Sequence, residues 1–144
     1  MVTPDRWLGD GGNDDDLMLI LGTRRFRVRH AGPAHTTEDL IVHDESTGIL
    51  FAGDVVFRGR IPYVGNADSR RWVSALDRML QLRPAMLVPG HGPVSRQPAI
   101  DLALTRDYLA HLRLTMGEAA RNLEPFDAAY ARTDWSRFSA LPLF

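Results

Sequence analysis

The chain has 144 residues, 44% apolar and 24% charged, the make-up of one ordinary globular domain with one core. A net charge of −1 gives no electrostatic case for nucleic acid or an acidic membrane surface, and no apolar run reaches the roughly 18 residues of a membrane helix. The absence of cysteine removes disulfides, thiolate–zinc sites and cysteine nucleophiles.

In chain order, the acidic run from Asp10 to Asp16 reads as a solvated loop. It lacks the register and closing glutamate of a calcium-binding loop. Leu17 to Leu21 form a continuous apolar run, the pattern of a strand covered on both faces. Residues 25–30 alternate strictly, with Phe26 and Val28 facing one way and the arginines the other, so a hairpin turns near Gly22-Thr23. A second pair follows, Leu40 to Val42 and Ile49 to Ala52, joined by the turn at 44–48. Its second strand is expected to stop at Gly53-Asp54. Ser69 to Leu82 is a helix by the spacing of Trp72, Leu76, Met79, Leu80 and Arg83, with Asp68 or Ser69 as its cap. A short strand, Met86 to Val88, is expected to stop at Pro89-Gly90-His91. A second helix runs from Pro98 to about Asn122, with Leu102, Leu109, Leu112 and Met116 as its apolar stripe. Residues 125–144 carry Phe126, Tyr130, Trp135, Phe138 and Phe144, expected to anchor a C-terminal tail to the body. Alternating strands and helices make an α/β layered domain.

Polar residues fall at strand ends in three places. His35 lies in Gly32-Pro33-Ala34-His35-Thr36, Asp54 in Leu50-Phe51-Ala52-Gly53-Asp54, and His91 in Pro89-Gly90-His91-Gly92. Each sits beside glycine or proline, which shape a loop and let backbone approach closely. Imidazoles and a carboxylate are the donors that zinc, iron or manganese accept. One such loop alone is an ordinary turn; three in this order are a signal.

The order and wording resemble the metallo-β-lactamase superfamily. Residues Phe57-x-Gly59-Arg60-Ile61-Pro62 and Ala129-Tyr130 look most like its quinoprotein relay system zinc metallohydrolases. The resemblance implies the C-terminal half of an αββα sandwich, a mixed sheet with outer helices. It implies a zinc-dependent hydrolase in which metal-activated water attacks an ester, thioester or lactam-type bond of a small-molecule substrate. His35 would bind one metal and His91 the other, and Asp54 would bridge them as the catalytic carboxylate. Asp39 would orient His35, and Arg58 and Arg60 would face an anionic substrate.

The superfamily's His-x-His-x-Asp-His motif is absent, since none of His30, His35, His43, His91 and His111 has that spacing. Relatives hold two zinc ions; one or none is expected in this chain alone. Truncation, with reduced or no activity, follows as an expectation, to which Met1-Val2 ahead of mid-family sequence adds. The alternatives are a non-catalytic relative acting as a binding or assembly module, and a small module with one weakly held ion. His30, His43 and His111 are read as solvent-facing. A half-sandwich should own an apolar sheet face, so a homodimer or a separate N-terminal half is expected to cover it. With no export pattern in Met1 to Trp7, the chain is expected in the cytoplasm, or in the periplasm if an upstream signal segment is missing.

Overall fold

A computed structural model describes residues 16–142 of the chain. The acidic run, apart from Asp16, and the anchor Phe144 lie outside the described residues. Five strands make one mixed sheet in sequence order: β1 (Asp16–Leu21), β2 (Arg24–Gly32), β3 (Asp39–Asp44), β4 (Ile49–Phe57) and β5 (Met86–His91). The first three pairings are antiparallel, and β4 pairs β5 in parallel. That parallel step needs a crossover, supplied by α1 (Ser69–Gln81). Helix α2 (Pro98–Arg121), helix α3 (Phe126–Arg132) and a 3-10 turn (Ser136–Phe138) follow. The expected α/β sheet with outer helices is what forms.

Register sorts the side chains onto two faces. One row runs Met18, Arg27, His43, Leu50 and Leu87 across all five strands. Its Leu50 and Leu87 are fully buried with Trp72, Ala75, Leu76 and Met79 of α1 and Leu102 and Leu109 of α2. The adjacent row runs Leu17, Val28, Val42, Phe51 and Val88, and therefore points to the opposite face. Every member is apolar. Leu19 and Leu40 lie on this face too, and Leu19, Leu40 and Phe51 are each about 40% exposed (41%, 44% and 40%).

Helix α1 starts where Asp68 accepts hydrogen bonds from the backbone N–H groups of Arg70 and Arg71. The Arg71 N–H is the largest of the influences that hold the Asp68 carboxyl below the usual carboxylate range. Asp44, 1% exposed, closes the β3–β4 turn by accepting from the Ser46 N–H at 3.0 Å. Burial pushes its carboxyl up, but the Thr47 hydroxyl, the Ser46 N–H and Arg24 outweigh it and hold the group low.

Several expectations need correction. Leu17 to Leu21 is not covered on both faces: it is the edge strand, and Ile20 and Leu21 are 67% and 66% exposed. Strand β4 does not stop at Gly53-Asp54. A bulge there, with Gly53 at φ 52°, lets the strand resume to Phe57, while β5 continues through Pro89 to His91. His43 and His111 are half-buried and do not simply face solvent. His43 sits in the helix-side row, where burial pushes its imidazole down, and His111 packs 5.2 Å from the Trp135 ring with its Nε2 buried and without a hydrogen-bond partner. In the tail, Phe138 is buried against Tyr108, but Phe126 and Tyr130 are 67% and 49% exposed.

Candidate metal centre

His35 stands in the loop between β2 and β3. That loop is closed by its own bonds: the Asp39 carboxylate accepts from the Thr36 N–H and from the Thr36 hydroxyl, both at 2.8 Å. The Ala34 carbonyl accepts from the Asp68 N–H at 3.0 Å, which ties the loop to the start of α1. Asp39 therefore does not orient the imidazole directly as expected, because its carboxylate is taken up by the backbone N–H and hydroxyl of Thr36, three residues away. His35 Nδ1 instead donates to the Tyr63 carbonyl at 3.1 Å. Around the ring stand Phe57, Tyr63 and Trp72, with centroids 5.5, 6.3 and 5.3 Å away.

Asp54 comes from the bulge in β4, which turns its side chain out of the ladder. His91 is the last residue of β5 and pairs with Phe57. Gly90 permits this approach: a Cβ there would stand 2.0 Å from Asp54 Oδ1 and 2.6 Å from the Gly53 carbonyl carbon. The result is one carboxylate between two imidazoles. His35 Nε2 lies 3.9 Å from Asp54 Oδ2, and His91 Nε2 lies 3.5 Å from Oδ1. His35 is nearly covered at 15% side-chain exposure, whereas His91 and Asp54 are at 40% and 45%.

The arrangement has a chemical preference. A carbonyl can only accept, so the bond to Tyr63 places a proton on His35 Nδ1. In neutral His35 the Nε2 lone pair then faces a carboxylate oxygen, two electron-pair donors that a cation would satisfy. Metal-binding histidines are held in this way, with the other ring N–H given to a carbonyl or carboxylate. In kind, then, the donors fit zinc. In number they do not close around one ion: among the described residues no three histidine, aspartate or glutamate side chains form such a group. Each histidine meets a different oxygen of Asp54, so a metal held here would need further donors.

Arg58 does not face the site as a substrate anchor. Its guanidinium donates to Asp101 at 2.9 Å and to the carbonyls of Pro93 and Val94 at 3.2 and 2.9 Å, and its backbone N–H bonds the His91 carbonyl at 2.9 Å. Arg58 thus fastens the His91 loop to the first turn of α2. Arg60 is half-buried just beyond β4. His30 pairs with Glu38 at 3.1 Å. The residues missed from the sequence are Phe57, Tyr63 and Trp72, which box His35. The signal available for them was an aromatic at the end of an apolar strand beside the expected ligand.

A family model for the metallo-β-lactamase superfamily matches residues 2–91 of the chain. Acyl-coenzyme A thioesterase MBLAC2 of Gallus gallus and of Homo sapiens are each 34% identical over 98 residues, 62% of this chain and 32% of the relative. The chain thus spans about a third of the length of these curated relatives. Among solved structures, a metallo-β-lactamase from Pontibacter korlensis aligns with a TM-score of 0.59 at 28% identity, covering 66% of this chain and 46% of that one. The DIM-1 metallo-β-lactamase exposed to ceftazidime aligns at 0.57 and 23% identity, over 67% of this chain and 44% of its own, and shares the fold.

Proposed function

We propose, given that the chain belongs to the metallo-β-lactamase superfamily, that it contributes one half of a zinc-dependent hydrolytic centre. The observation that carries this reading is the Asp54 carboxylate with one oxygen toward each histidine, at 3.9 and 3.5 Å. His35 with one oxygen of Asp54 would hold one zinc, and His91 with the other oxygen would hold a second. Bound zinc supplies a hydroxide nucleophile at neutral pH and polarises a carbonyl oxygen. This chain's own residues set the stage for it. Tyr63 holds the His35 tautomer, Asp39 and Asp68 fix its loop, and Arg58 fixes the loop of His91. The substrate class is an ester, thioester or lactam, and the thioesterase name of the curated relatives puts a thioester first. Arg60 is the remaining candidate for an anionic portion of that substrate.

The missing donors come from a second polypeptide segment that packs its own sheet on the apolar row from Leu17 to Val88. A second copy would cover that face, yet it would bring only another His35, Asp54 and His91. We therefore favour a segment bearing the His-x-His-x-Asp-His donors over a homodimer. Assembled with such a segment and zinc, the chain is expected to hydrolyse an acyl-coenzyme A thioester, and Asp54→Asn to lower the rate more than about 100-fold, beyond the usual effect of an outer partner. A fully assembled, zinc-loaded complex without turnover would sink this reading. It would favour the alternative, a non-catalytic module whose apolar face serves assembly.

A further inference from the structure

We propose that Phe57 is the positioning residue of this centre, the ring that sets where His35 and His91 stand about Asp54; the inference rests on reading those three as zinc donors. Phe57 is 2% exposed at the end of β4. Its ring stacks on His91 with centroids 4.6 Å apart and planes 18° from parallel. The same ring meets His35 at 5.5 Å and 60°, an edge contact. No other ring contacts both imidazoles in the described structure.

The ring is itself held. Trp72 lies against it at 6.3 Å, and the Trp72 indole N–H is anchored on the Val55 carbonyl at 2.8 Å. The Thr105 hydroxyl of α2 donates to the Phe57 carbonyl at 3.3 Å. Stacked and edge-on contacts fix the plane of each imidazole without using a ring nitrogen, so the nitrogens stay available to acceptors and metal. A branched aliphatic side chain could fill much of the volume but offers no flat face to His91. Phe57 touches no reacting group; it acts through the two histidines.

The test compares the wild-type chain with Phe57→Leu and Phe57→Tyr, first without metal. A stacked ring shields the protons beneath it, so the His91 ring-proton resonances of the wild type should lie upfield. The leucine variant should lose that displacement and the tyrosine variant keep it, a change that filling a core alone would not produce. Cross-relaxation from the Phe57 ring to both imidazoles in the wild type decides the matter even if the leucine variant fails to fold. Zinc added to the same chains should bind the leucine variant about 10- to 100-fold more weakly than the wild type, with the tyrosine variant restoring affinity. Unmoved His91 signals in a folded leucine variant, or no cross-relaxation to either imidazole, would overturn the positioning role. Shielded imidazoles in a wild-type chain that takes no zinc, alone or assembled, would instead overturn the zinc reading and leave Phe57's placement standing.

Discussion

Gly90→Ala is expected to destabilise the chain by about 3 kcal/mol or more, the upper end of overpacking costs, and to separate Asp54 from His91 with it. The added methyl would stand 2.0 Å from Asp54 Oδ1, 2.6 Å from the Gly53 carbonyl carbon and 2.7 Å from the Asp54 backbone nitrogen. Two of those atoms are backbone, so no side-chain rotation relieves the overlap. Strands β4 and β5 must part, or the bulge must move, and either displaces Asp54 from His91. Gly90 is not among the glycines with positive φ, so the effect is steric and not conformational. Gly117→Ala is the matched control. Gly117 lies inside α2, where a Cβ meets only the Arg121 guanidinium at 3.7 Å, and alanine there should stabilise by about 0.5–1 kcal/mol. Urea unfolding of the two variants should move in opposite directions. Equal and small shifts would mean that β4 and β5 do not meet as described.

Trp72→Ala should cost about 3–5 kcal/mol from the cavity alone, a large share of a domain's typical stability of roughly 5–15 kcal/mol. Trp72 is fully buried, joins α1 to the sheet, and donates to the Val55 carbonyl at 2.8 Å. Removing the indole leaves that carbonyl unsatisfied, which adds roughly 1–3 kcal/mol. Phe57 and His35 both lose a wall, so the site should loosen together with the core. Trp72→Phe isolates the second part: it keeps most of the bulk and loses the N–H. Denaturation followed by far-ultraviolet circular dichroism should rank wild type above Trp72→Phe and Trp72→Phe above Trp72→Ala. A Trp72→Ala chain as stable as wild type would contradict the packing described here.

The readability of the chain differs from segment to segment for physical reasons. The alternation of Phe26 and Val28 with arginines is legible because successive side chains of a strand point to opposite faces, although residues 26–30 are all half-buried. Helices α1 and α2 were legible to within a residue because apolar spacing and caps coincide. Leu17 to Leu21 misled because an apolar run looks the same whether a strand is covered or awaits cover. Gly53-Asp54 looked like a strand end because a bulge uses the same residues as a turn. His35, Asp54 and His91 stand out in the sequence by their flanking glycines and prolines, and the structure brings them together, His35 from a loop, Asp54 from a bulge and His91 from a strand end. Their supports were harder. Asp39 is near His35 in sequence, yet its carboxylate is held by Thr36. Arg58 is near Asp54 and charged, yet Asp101 and two carbonyls claim it. Phe57 is visible in the sequence as an aromatic after an apolar strand, but its stacking on His91 depends on the β4–β5 register, which that local pattern does not encode.

His35, Asp54 and His91 are proposed here as one half of a zinc centre and not a whole one. Zinc bound per chain at equilibrium, measured by dialysis and elemental analysis on the wild type and on His91→Ala, tests that proposal most directly. At most one ion is expected on the isolated chain, with less zinc retained by His91→Ala than by the wild type. About two zinc ions per isolated chain, the content of a complete two-metal centre, would contradict it.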